Sequence, residues 1–126
     1  MWIPYQPNEK QSRANDCTIR AIMAVTGDDW LTVYLGVCLE GAVVQDMPST
    51  NKIWGRYLEK QGFECRRLEN TCPYCYTVED FCKDFPQGEY LVMVPWHVVA
   101  VIDGDYYDSF DSGDETALFY WSRKDE

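Results

Sequence analysis

Cys17, at the mouth of a predicted helix, and His97, the chain's single histidine, are the two side chains whose types could together make and break an acyl bond. A thiol attacks a carbonyl as the thiolate, so it needs a positive field nearby and a base to take its proton. The segment 15–27 supplies the field. Asn15 or Asp16 stands where an N-cap belongs, Ile19, Ile22 and Met23 recur at helical spacing, and Gly27 marks the stop. Cys17 then occupies the first turn, where unpaired backbone N–H groups and the positive end of the helix dipole favour a negative sulfur and can bind a developing oxyanion. A second oxyanion donor would be a side-chain amide from the stretch leading into the helix. Gln11 is placed to supply it, six residues before Cys17, with Gln6 as the alternative.

The base can only be His97, because the chain holds no other imidazole. It lies in 89–102, two β-rich runs interrupted by Pro95-Trp96 and followed by the turn signal Asp103-Gly104. A hairpin at that turn brings 105–108 back alongside the histidine strand. Asp108 could then accept from the second ring nitrogen and hold the imidazole in the right tautomer, with Asp111 and Asp103 as weaker alternatives. Taken singly, each residue has a plainer reading: Cys17 as a small core residue, His97 as a satisfied histidine on an apolar strand, the acids as a solvated turn. A nucleophile and its one possible base in the same chain favour the chemical reading. Trp96, next to His97, is expected to line a cleft, whereas Tyr106 or Tyr107 is expected in packing. The loop 41–50 is a further source of cleft residues.

The elements that must position these groups come helices first. Asp28 or Asp29 can cap a helix over 30–40, ended by Gly41, and Ser49 or Thr50 can cap another over 52–61, ended by Gly62. A short strand over 63–68 and a loop over 69–76 follow. Thr77-Val78-Glu79-Asp80 then opens a short helix with a capping-box pattern, stopped at Pro86-Gln87-Gly88. The rest is strand and turn, with a last strand over 117–121. Apolar residues on both faces of 98–102 predict a central strand. The pattern is α+β, N-terminal helices packed on a small C-terminal antiparallel sheet, and 126 residues without a linker or repeat predict one domain, 1–126.

A net charge of −10 argues against nucleic acid, whose phosphates need a basic patch, and favours a neutral or basic protein or peptide partner. No apolar run approaches the roughly 20 residues of a spanning helix, and 1–4 is no signal peptide. The expectation is a cytoplasmic protein that engages no membrane. Reduced thiols are then expected for the six cysteines. Cys65, Cys72, Cys75 and Cys82 include a Cys-x2-Cys turn of the kind that forms half a structural zinc site, but lack a second tight turn. Buried packing of Cys65 and Cys82 is the favoured expectation, with no cofactor.

The order Gln11, Cys17, His97, Asp108, with "QSRANDC" opening a helix and "HVVAVIDGDYYDSFDSG" in a late sheet, resembles the papain-like cysteine peptidase superfamily. Within it the chain is similar to the compact double-glycine leader peptidases of bacteriocin exporters and to related stand-alone bacterial and phage proteins. The resemblance implies a papain-like fold and a hydrolase with Cys17 as nucleophile, His97 as base, Asp108 as its orienter and Gln11 completing the oxyanion hole. A cysteine peptidase or isopeptidase is expected. A deamidase, amidase or transglutaminase would use the same acyl-enzyme, and a catalytically silent binding module would present an acidic face to a basic partner.

Overall fold

A computed structural model describes residues 1–10 and 15–124, and in them four helices pack on a six-stranded mixed sheet. The elements run β1 (Trp2–Pro4), α1 (Cys17–Thr26), α2 (Trp30–Val44), α3 (Asn51–Lys60), β2 (Phe63–Arg67), α4 (Val78–Asp84), β3 (Glu89–Val94), β4 (His97–Ile102), β5 (Asp105–Asp108) and β6 (Phe119–Arg123). Their order across the sheet is β1-β5-β4-β3-β6-β2.

The expected C-terminal antiparallel sheet is corrected at both edges. β1 pairs parallel with β5, setting Trp2 against Tyr106 and Pro4 against Asp108, and β2 pairs antiparallel with β6. A three-residue strand is too short to show a period of two, and its proline is tolerated because β1 lies at an edge. The last strand also falls two residues later than predicted, at Phe119–Arg123.

β4 lies inside the sheet between β3 and β5, and its apolar residues serve two cores. Val98 and Ala100 join Ile22 and Val25 of α1, with Ile53, Trp54 and Leu58 of α3, in one cluster. Val99 and Val101 join Val78 and Phe81 of α4 in the other. Side chains that alternate across a strand covered by helices on both sides give this division. α1 stops where predicted, with Gly27 at φ 78° and its N–H on the Met23 carbonyl at 2.8 Å.

α2 overruns its predicted stop at Gly41 and ends at Val44. Gly41 is needed for proximity rather than termination: a Cβ there would lie 2.6 Å from the Asp46 carbonyl oxygen, where the chain turns back after the helix. α2 buries Val33 and Val37 and leaves Leu31, Leu35, Leu39 and Val43 exposed on its outer side. No single helix among the described residues is long and apolar enough to cross a membrane.

The capping box at α4 is present as predicted: Asp80 N–H donates to Thr77 Oγ1 at 3.2 Å, and Thr77 N–H donates to Asp80 Oδ2 at 3.0 Å. Thr77→Ala is therefore expected to cost about 1 kcal/mol. Urea denaturation would show this as a lower midpoint with an unchanged slope.

The later cysteines depart from expectation. Cys72 and Cys75 form a disulfide, so neither thiol of that turn is free. Cys82 is buried in α4 as expected, but Cys65 is exposed, because only Phe63 of the edge strand β2 is buried. The four do not gather into a zinc cluster, and no group of three or more potential metal ligands forms among the described residues.

Candidate active site

α1 begins at Cys17, with Asp16 in the N-cap position. The Asp16 side chain makes no capping bond, contrary to expectation. Its carboxylate instead accepts from the Arg20 guanidinium, from Trp30 Nε1 at 2.9 Å and from Asn8 Nδ2 at 3.1 Å. Asp16 thus leaves the first-turn N–H groups around Cys17 without a side-chain cap of its own, and a helix start in that condition can receive an anion.

His97 is the first residue of β4, directly after the two-residue connection Pro95-Trp96. Proline fixes φ at the first position, and Trp96 takes φ 62° at the second, where glycine or asparagine is usual. Across the next turn Ala100 pairs with Tyr107 and Val101 with Tyr106. Carried one step further, that register sets Asp108 opposite Val99, diagonal to His97 and within reach of a long side chain. The contact is made: His97 Nε2 lies 2.5 Å from Asp108 Oδ2. The Cys17 thiol and the same ring also act on one another, each shifting the other's pKa through a hydrogen bond and through charge.

Asp108 is 2% exposed, and both its oxygens are engaged. Ser109 N–H donates to Oδ1 at 2.8 Å, and Ser112 Oγ donates to Oδ2 at 2.7 Å beside the imidazole. Its backbone carbonyl accepts from Tyr5 N–H at 2.8 Å and Trp2 Nε1 at 3.0 Å. The other two acids lie elsewhere. Asp111 accepts from the Tyr106 hydroxyl and Gly113 N–H, and Asp103 accepts from Gly88 N–H. Tyr106 is buried, as expected of a packing residue.

Burial is the largest influence on the Cys17 thiol and pushes its pKa up. The hydrogen bond to His97, the Val98 backbone N–H, the imidazolium charge and the Thr18 hydroxyl together outweigh it, so the thiol lies below its ordinary value. Burial likewise pulls His97 down, but hydrogen bonds to Asp108 and Cys17 and their negative charges overcome it, raising the ring to about 9. The thiol lowered and the ring raised are shifts in the directions that favour a thiolate–imidazolium pair.

A cleft of about 760 Å³ opens over the sulfur. Tyr34 of α2, Trp54 of α3 and Met93 of β3 form its walls, with Pro48 and Ser49 contributing from the loop after α2, as expected for that loop. Trp96 lines the cleft while 99% exposed, and the Phe110 ring lies 4.9 Å from the imidazole.

The structure therefore brings Cys17, His97 and Asp108 together. Gln11 lies outside the described residues. Gln6 Oε1 accepts from Asn8 N–H at 3.1 Å. Sequence reasoning missed Arg20 and the part Asp16 plays with it. The signal was present in their spacing: an acid and a base four apart on a helix, flanking the cysteine, with the arginine among Ile19, Ala21 and Ile22. Comparison with known proteins finds no family model, no curated protein and no solved structure that matches this chain.

Proposed function

We propose that the protein is a papain-like cysteine peptidase or isopeptidase acting on a protein or peptide. The observation that carries this reading is the line Cys17, His97, Asp108 beside a cleft, with the thiol lowered and the ring raised. The papain-like assignment is supported by a helix that starts at the nucleophile and packs on the strand that starts at the base.

In this mechanism the Cys17 thiolate attacks the carbonyl carbon and forms a C–S bond. The oxyanion is received by the Cys17 backbone N–H and, in this proposal, by the Gln11 amide. The His97 imidazolium gives its proton to the leaving nitrogen as the C–N bond breaks, leaving a thioester and a neutral ring. Water then attacks the thioester while His97 takes a proton from it. Loss of the carboxylic acid restores the thiolate and the imidazolium. Asp108 holds the ring throughout, with the fixed acceptor geometry of a triad.

The test is digestion of an unfractionated peptide library by the wild type and Cys17→Ala, with products read by mass spectrometry. New peptide termini that depend on Cys17 are expected, with loss of all turnover in the variant. Conversion of glutamine to glutamate without chain cleavage would move the assignment to a deamidase. No Cys17-dependent product, together with no covalent labelling of Cys17 by a peptide vinyl sulfone, would remove the enzymatic reading.

A further inference from the structure

Behind the reactive pair lies a second line of charges that the mechanism above does not use. Arg20 is 6% exposed and sits one helical turn beyond Cys17. Its Nη1 bonds Asp16 Oδ1, while Nη2 lies 3.4 Å from Ser109 Oγ and 3.8 Å from Asp108 Oδ1. Arg20 therefore bridges the residue before the nucleophile and the residue that orients the base. It meets Asp108 on Oδ1, whereas His97 and Ser112 meet Oδ2.

We propose that Arg20 is a positioning residue for the catalytic line, holding Asp108 from the side opposite His97 and balancing its charge so that the carboxylate does not grip the imidazole proton too tightly. The inference rests on the reading of Cys17 and His97 as a reactive pair. A buried arginine that only closed an ion pair with Asp16 would have one partner. Here the second half of the guanidinium is directed to β5 and the turn after it, 89 positions away in sequence at Ser109. The planar fork of arginine can serve two such partners at once, and a lysine cannot reproduce that geometry.

The charges around the line define the expected effect. Among the described residues lining the cleft, those that carry or can take charge are Asp16, Cys17 and Arg20 of the α1 start, Tyr34 of α2 and His97 of β4. Asp108 of β5 lies behind them, and Tyr5 after β1 feels the Arg20 charge. β3 brings only Met93. Asp16, Arg20, Asp108, His97 and Cys17 sum to one negative charge when the pair is ionised. Removing the guanidinium makes it two and leaves Asp108 facing His97 without a counter-charge on Oδ1. The ring should then hold its proton to higher pH, and the thiolate should need higher pH to form.

Because His97 is the only histidine, its titration is read directly from the imidazole signal in an NMR pH series on the intact protein. The experiment compares the wild type with R20M, R20K and the double variant D16N/R20M, alongside the pH dependence of Cys17 alkylation. The double variant guards against loss of folding in R20M, since it removes both members of the buried pair while an asparagine oxygen still accepts from Trp30 and Asn8. The expected result is a His97 midpoint raised by on the order of one pH unit in R20M, and raised by less in D16N/R20M, where loss of Asp16 returns the summed charge to one negative but Asp108 Oδ1 still lacks its counter-charge, with R20K restoring the midpoint but not the full alkylation rate. An unchanged midpoint in the folded double variant would overturn the role of Arg20 and leave the reactive pair standing. A wild-type ring that titrates in the ordinary histidine range, with Cys17 no faster than the other thiols, would overturn both.

Discussion

Replacing His97 with alanine is expected to slow alkylation of Cys17 at neutral pH by about a hundredfold and turnover by about 100- to 10,000-fold. The Cys17 thiol lies below its ordinary value because the ring's hydrogen bond and charge, with Val98 and Thr18, outweigh burial. Without the ring only the Val98 N–H and the Thr18 hydroxyl oppose burial, so the thiol moves up, and each unit of that move removes tenfold of the thiolate at pH 7. Turnover loses more, because the same ring must also protonate the leaving group. The wild type should gain activity as pH rises through the lowered Cys17 value and lose it as His97 gives up its proton at about 9. Alkylation should not fall at that upper limit, since a thiolate without its imidazolium still attacks an alkylating agent. Peptide-resolved mass spectrometry across pH separates the two behaviours. A Cys17 rate indifferent to His97 would leave the catalytic reading without support.

The second large effect is on stability. Trp54 is 1% exposed, fills the core between α3 and the sheet, and packs against Trp121 with ring centroids 6.1 Å apart. Trp54→Ala leaves a cavity under the cleft and is expected to cost about 3–5 kcal/mol. That is a large part of the 5–15 kcal/mol available to a typical domain. In a chain of this length it should lower the melting temperature by roughly 10–20 °C. Calorimetry and chemical denaturation should agree on the loss, and a change below about 1 kcal/mol would mean that the neighbouring side chains close the space.

What could be read from the sequence was local. The start of α1 at Cys17, the Thr77 capping box, the break between two β-runs at Pro95-Trp96 and the hairpin at Asp103-Gly104 are each written within a few residues, and the last of these predicts that His97 and Asp108 approach one another. What escaped reading depends on partners far apart in the chain. The parallel pairing of β1 with β5 is decided by where β5 leaves an edge, not by anything in Trp2-Ile3-Pro4. Asp16 was expected to cap its own helix, but Trp30 and Arg20 compete for the same carboxylate and take it. Gly41 carries a stop signal, yet the approach of Asp46 gives it a different use. The disulfide between Cys72 and Cys75 is not legible in their spacing, since a Cys-x2-Cys turn serves a metal or free thiols as readily as a bridge.

The bond from Trp2 to the Asp108 carbonyl spans 106 positions in sequence, and the Arg20 contact with Ser109 spans 89. Contacts of that separation carry a large loop-closure entropy and form late in folding. A chain on its way to the native state can build α1 and, separately, the β4–β5 hairpin that brings Asp108 to His97 only 11 positions away, and until α1 docks on β4 the thiol lacks the ring that lowers it. The nascent thiol is thus chemically quiet through the stages when it is most exposed to unintended partners. Its reactivity rises with the docking of α1 on β4, so the rate at which Cys17 gains its native alkylation rate after dilution from denaturant times that step of folding.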